Sequence, residues 1–222
     1  MPTDLTNMLN KPDGYYRAMR EDMLKYIPEH VKTTLEFGCG FGGFSALVKE
    51  TFGAETWAVE IDERAAAEAA KRLDKVINTD ALESLGQIPD NYFDCIVFLD
   101  ILEHMVDPYS LLIAMKQKLT SKGVIIASIP NIRYYRTFVD FALHGNWDYV
   151  DQGILDKTHL RFFTYKSIVK MFDQLGFEIL LIEGIHPTSS RTLRVLNTLL
   201  LNRFADVRYI HFACIVRPKI GE

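Results

Sequence analysis

A short apolar run, Thr33–Phe37, ends in a glycine-dense turn and passes at once into a helix-patterned segment. The stretch LEFGCGFGGFS, from Leu35, therefore reads as strand, turn, helix. This unit puts backbone N–H groups and a helix N-terminus at the carboxyl end of a strand, where doubly wound folds bind their ligands. It also commits the chain to a parallel sheet, because the alternation continues downstream. Further strands are expected at 55–60, 75–78, 92–99 and 123–129, and helices at 42–52, 62–73 and 107–119. Residues 92–99 and 123–129 are continuous apolar runs, as strands buried on both faces require. Pro108 suits the first turn of its helix.

The two ends differ from this core. Residues 14–27 carry apolar positions at helical spacing. Two strands, 177–185 and 209–217, flank an amphipathic helix at 192–205 whose Leu193, Leu196, Leu199 and Leu200 form a packing stripe. Residues 131–163 show no clear strand. Their aromatics Tyr134, Tyr135, Trp147, Tyr149, Phe162 and Phe163 are expected to form the core of a covering segment, and as a group to wall an acceptor pocket. The 222 residues suit one domain, with 48% hydrophobic residues to build its core.

The net charge of −4 argues against a nucleic-acid partner. The charge is uneven: residues 1–130 hold 13 basic and 20 acidic residues, net −7, and the remainder 12 and 9, net +3. Cys39, Cys95 and Cys214 are far apart without CxxC spacing, which fits a reducing compartment and no structural zinc. With no signal core and no apolar run of membrane-spanning length, the expected location is the cytoplasm.

The glycines alone fit two ligand classes. Gly38-x-Gly40-x-x-Gly43 matches the dinucleotide fingerprint. Glu36 argues against it, since a carboxylate there repels a pyrophosphate but pairs with an ammonium group. Gly42 adds a second spacing, Gly38-x-Gly40-x-Gly42. LEFGCGFG resembles the first motif of class I S-adenosylmethionine-dependent methyltransferases, (Asp/Glu)-x-Gly-x-Gly-x-Gly. Three further stations agree: Glu60 at the end of the second strand, Asp80-Ala81 after the third, and DCIVFLDILEHMVDP around the fourth. The segment GNWDYVDQGILDKTHLRFFT, from Gly145, is similar to a bacterial branch of these enzymes that often modifies cell-surface glycans.

The resemblance implies a doubly wound α/β fold: a seven-stranded, mostly parallel sheet with helices on both faces and the last strand antiparallel, inserted beside the fifth. It implies a single domain of residues 1–222, with an N-terminal helical segment (1–32), a cofactor-binding core (33–130), a substrate-covering segment (131–163) and a C-terminal helix, strand, helix, strand (164–222). It implies S-adenosyl-L-methionine as cofactor. The implied binding residues are Tyr16, Arg20, Glu36, Phe37, Gly38, Cys39, Gly40, Gly42, Glu60, Ile61, Asp80, Ala81, Leu82 and Leu99. In this scheme Glu60 accepts two ribose hydroxyls, with Asp62 competing for that role. Asp80 reaches the adenine amino group, and Tyr15, Tyr16 or Arg20 holds the cofactor carboxylate.

Removing a hydroxyl proton during transfer needs a base. His159, with Asp156 to orient it, is the expected one; His104 and Asp100, beside the transferable methyl, are the others. Asp156 and His159 could equally tie their segment to the sheet. The expectation is no metal, with a divalent ion on Asp100, Glu103 and His104 as a minor alternative. The expected reaction is methyl transfer to a small-molecule acceptor, foremost a hydroxyl on a sugar or nucleotide sugar. The alternatives are N-methylation of an amino sugar, O-methylation of a quinone-like or phenolic acceptor, and a cofactor-binding protein without catalysis. A nicotinamide oxidoreductase is disfavoured by Glu36 and Asp80, and a protein substrate leaves little trace in sequence. The oligomeric state is not readable.

Overall fold

The computed structural model describes residues 13–16, 19–190, 197–198 and 201–219. Seven strands form one sheet: β1 (Thr33–Phe37), β2 (Glu55–Glu60), β3 (Lys75–Asn78), β4 (Phe93–Leu99), β5 (Leu119–Pro130), β6 (Phe177–Pro187) and β7 (Tyr209–Pro218). Their order is β3-β2-β1-β4-β5-β7-β6. The first five are parallel; β7 runs antiparallel to both β5 and β6, between them. The order reverses between β1 and β4, so a crevice opens at their carboxyl ends. Because β7 is antiparallel, its first residues reach that same edge, where His211 lies opposite Pro130 of β5.

Among the described residues six α-helices accompany the sheet: α1 (Asp13–Tyr16), α2 (Gly43–Phe52), α3 (Glu63–Ala69), α4 (Pro108–Lys118), α5 (Tyr135–Val139) and α6 (Tyr165–Gln174). Alternate β4 residues feed two layers. Ile96 and Phe98 join Leu111, Leu112 and Met115 of α4 and Ile168 and Phe172 of α6 on one face. Cys95 and Val97 join Phe44 and Val48 of α2 and Met23 on the other. A buried aromatic or leucine here contributes about 2 kcal/mol. Asp107 caps α4 by accepting from Ser110 N–H at 3.0 Å, and Thr164 caps α6 in a reciprocal pair with Ser167.

Four expectations need correction. The helix over 14–27 is instead α1 and a 3₁₀ turn, Glu21–Tyr26, because Arg20 takes a left-handed conformation (φ 45°). That kink carries the guanidinium to the sheet edge. The helix over 62–73 stops at Ala69, with Asp62 as its cap, and Asp74 is held instead by Lys49 and Thr56. The aromatics of the covering segment are not a packed core: Phe163 is buried, but Phe138, Phe141, Trp147 and Tyr149 are exposed. The helix expected over 192–205, with its leucine stripe, lies mostly outside the described residues; 201–204 form a turn and Ala205–Arg208 a 3₁₀ turn.

Candidate active site

The glycine loop between β1 and α2 needs its glycines. Gly38, Gly40 and Gly42 all have positive φ (69°, 54° and 73°), where a side chain is strained. A Cβ on Gly40 would stand 2.8 Å from the Tyr16 carbonyl oxygen. That carbonyl accepts from Phe41 N–H at 3.0 Å, so the N-terminal segment clasps the loop. The Tyr16 ring stacks on Phe41 and its hydroxyl donates to Asp62 at 3.3 Å. Tyr16 is thus committed to the loop and to Asp62. The side chain of Tyr15 is outside the described residues.

Two buried carboxyls flank the loop. Glu36, at the tip of β1, accepts from Ser45 Oγ at 2.5 Å. Burial pushes its pKa up to about 7, although the Ser45 hydrogen bond pulls the other way. Glu60, at the tip of β2, accepts from Gly40 N–H at 2.8 Å and from Asp62 N–H at 3.0 Å. Its pKa is raised by burial as well. A carboxylate has about four acceptor sites, so Glu60 retains capacity for a vicinal diol. Asp62 caps α3 through Ala65 N–H at 2.8 Å, which leaves Glu60 the better placed of the two. Phe37 and Cys39 are buried beneath the loop, and Leu99 is half-buried at the tip of β4. Ile61 and Leu82 expose apolar surface beside the β2 and β3 tips. Asp80 is exposed, accepts from Leu82 N–H at 2.8 Å, and is followed by half-buried Ala81. These features fit a ligand with an ammonium, a ribose and an apolar ring.

Beyond the β4 tip lie two separate polar clusters. In the first, Asp100 (φ 56°) is paired with Arg20, accepts from Ser128 Oγ at 2.8 Å and has His211 Nε2 3.6 Å away. Arg20 also donates to Ser128 Oγ at 3.0 Å and to Asp22 at 3.2 Å. Arg20 is therefore engaged with two carboxylates. His186 continues the cluster, with Nε2 at 3.2 Å from Asp22 and Nδ1 at 3.3 Å from His211 Nδ1. Neither His186 nor His211 stood out in the sequence; the signal available was a histidine near the sheet-edge end of each of the last two strands.

The second cluster is Glu103, His104 and His159, whose nearest donor atoms all lie within 4.8 Å of one another. The Glu103 carboxyl is fully buried, neither oxygen has a hydrogen-bond partner, and burial drives its pKa well up. His159 Nδ1 lies 3.0 Å from the Ile154 carbonyl, which only accepts, so the ring proton is on Nδ1 and the lone pair on Nε2, 3.9 Å from Glu103. The Thr158 hydroxyl donates to Asp156 at 2.7 Å, so His104 Nδ1, 3.0 Å from that oxygen and 3.3 Å from the Thr158 carbonyl, must donate too. Two imidazoles and a carboxyl group form a donor set of the kind that binds a divalent transition ion. Asp100 does not belong to it, being turned to Arg20 and Ser128. Asp156 is turned to Thr158 N–H (2.9 Å) and hydroxyl, and orients His159 through the backbone, its carbonyl accepting from His159 N–H at 2.9 Å. Leu160 and Arg161 N–H both donate to the Glu103 carbonyl, tying the covering segment to the β4 turn.

A glycine cradle with two buried carboxyls at the switch point of this sheet defines a class I methyltransferase site, and the comparisons agree. A family described as methyltransferase domain matches residues 11–182, and the chain belongs to it. It is a methyltransferase, and its cofactor is S-adenosyl-L-methionine. A ubiquinone biosynthesis O-methyltransferase of Idiomarina loihiensis is 27% identical over 78% of this chain and 76% of its own length. Another, of Photobacterium profundum, is 25% identical over 73% of each. Among solved structures, a SAM-dependent methyltransferase from Archaeoglobus fulgidus shares the fold, with a TM-score of 0.69 at 22% identity over 96% of this chain and 97% of that one. Among the described residues no helix is long and apolar enough to cross a membrane.

Proposed function

We propose that this enzyme methylates a hydroxyl of a small molecule, and that the acceptor is a sugar or glycan precursor such as a nucleotide sugar. The observation that carries the hydroxyl reading is a histidine–carboxylate cluster at the same sheet edge as the glycine cradle, since an alcohol must lose its proton during transfer. The bound cofactor supplies an electrophilic methyl on a sulfonium. This chain's residues hold and orient it: Glu36 pairs with the ammonium, Glu60 accepts the ribose hydroxyls, Ile61, Ala81 and Leu82 line the adenine, and Asp80 meets its amino group. Alignment of donor and acceptor is the remaining contribution.

The sugar reading is supported by a cavity of about 220 Å³ lined by Thr188, Ser190, Asn197, Thr198, Asn202, Phe204, Val207 and Arg208. Its lining is rich in hydroxyls and amides, and the Arg208 Nε is buried without a hydrogen-bond partner. It begins where Thr188 N–H donates to the Arg208 carbonyl, at the sheet-edge end of β6 and β7. A second reading is a phenolic or quinone-like acceptor, with a divalent ion on Glu103, His104 and His159. It is supported by that donor set and by the names of the relatives. We place the enzyme in the cytoplasm, since its three cysteines are buried free thiols.

The test is an acceptor panel with methyl-labelled cofactor: nucleotide sugars, an amino sugar and a catechol, each with added Mn²⁺ and with EDTA. The reading expects methyl ether on a sugar hydroxyl, insensitive to EDTA. Product only on the catechol, abolished by EDTA, would favour the second reading. Methylamine on the amino sugar would overturn the hydroxyl assignment.

A further inference from the structure

We propose that His211 takes the proton from the acceptor hydroxyl, with His186 and Asp100 as its positioning residues. The inference rests on the hydroxyl reading above. It replaces His159 in that role, whose Nε2 faces a fully buried carboxyl.

Proton bookkeeping in the Asp22–His186–His211–Asp100 chain supports the assignment. The contact of His186 Nε2 with Asp22 at 3.2 Å requires a proton on that nitrogen. The two Nδ1 atoms are 3.3 Å apart, so one of them carries a proton and the other accepts it. In the neutral pair, His186 is Nε2–H and His211 donates from Nδ1. The lone pair of His211 is then on Nε2. That atom is 3.6 Å from Asp100, too long for a hydrogen bond. Asp100 tolerates a facing lone pair because Arg20 and the Ser128 hydroxyl already satisfy it. The His211 side chain is 22% exposed, so an acceptor can reach it.

The titratable and charged groups facing His211 are Asp100 and Arg20 at one nitrogen, and His186 with Asp22 behind it at the other. Burial lowers the pKa of His211; Asp100 opposes this, Arg20 reinforces it, and Asp22 opposes. The ring is therefore neutral at neutral pH. As the acceptor oxygen bonds the methyl carbon, the carbon–sulfur pair returns to sulfur and the hydroxyl proton moves to His211 Nε2. The imidazolium so formed has Asp100 beside it. This is a base positioned by one carboxylate and one imidazole.

The test has two arms. In the first, ¹⁵N-resolved imidazole spectra of the full chain with S-adenosylhomocysteine are recorded at pH 7.5. A neutral His211 protonated on Nδ1 is expected; a cationic ring, or a proton on Nε2, overturns the proposal whatever the acceptor is. In the second, kcat is measured against pH with the panel acceptor that gives product, for wild type and the variants H211Q, D100N and H159Q. His211→Gln should lower kcat by about 100-fold or more, remove the acid limb and leave cofactor affinity within about twofold. Asp100→Asn should move the acid limb to lower pH, because it removes the carboxylate beside the imidazolium, a shift that a structural role would not give. An acid limb retained in H211Q but lost in H159Q overturns the proposal. A wild type that methylates no hydroxyl removes the reading it rests on, which the first arm does not touch.

Discussion

The proposed role of Glu36 sets function against stability in a single residue. Its carboxyl is buried with one hydrogen bond from Ser45, and its pKa stands at about 7. For an acid this is an upward shift, so folding favours the protonated form. That contribution is present below the unfolded value and is lost as pH rises towards 7. Glu36→Gln keeps an acceptor for Ser45 and removes the buried charge. We expect it to stabilise the cofactor-free protein at pH 8 by on the order of 1–3 kcal/mol, measured by urea unfolding. Cofactor affinity shows the opposite trend. An ammonium ligand requires Glu36 ionised, so affinity should strengthen as pH rises through 7 and then level off in wild type, and show no such limb in the variant. Unchanged stability at pH 8 would mean that Glu36 is charged at no cost.

At the scale of elements, α6 is the one whose start fixes the end of the covering segment. Its cap is Thr164, and it buries Ile168, Met171 and Phe172 against the sheet. Thr164→Ala should cost about 1 kcal/mol in urea unfolding; no loss would show that tertiary packing alone sets where α6 begins. The strands and the start of α4 were legible because their signals are local: apolar runs of strand length, a glycine turn, Pro108 in the first turn of its helix. The break at Arg20 was not, since it depends on Asp100, eighty residues away in sequence, drawing the guanidinium to the sheet edge. The covering aromatics misled for a related reason. An aromatic-rich composition suggests burial, but residues between Phe138 and Val150 find too little sheet or helix to cover them.

At the scale of the whole molecule, the fold and the cofactor half of the site follow from the order of strands. Reversal between β1 and β4 opens the crevice, and the glycine loop, Glu36 and Glu60 are strand-tip features with fixed sequence spacing. The proposed acceptor half is assembled from the 3₁₀ turn before β1, the tips of β4 and β5, and the edge hairpin of β6 and β7. Its residues, Arg20, Asp100, Ser128, His186 and His211, span most of the chain. No spacing rule joins them; only the insertion of antiparallel β7 beside β5 does.

The central claim is that the Gly38–Gly42 cradle and Glu60 hold S-adenosyl-L-methionine. Calorimetric titration of the cofactor into wild type and Glu60→Ala tests it most directly, because Glu60 is the proposed ribose acceptor and ties Gly40 N–H to the β2 tip. Saturable binding in wild type, weakened about 100-fold or more in the variant through lost charge-assisted hydrogen bonds, is the expected result. Equal binding by both proteins, or none by wild type, would contradict it.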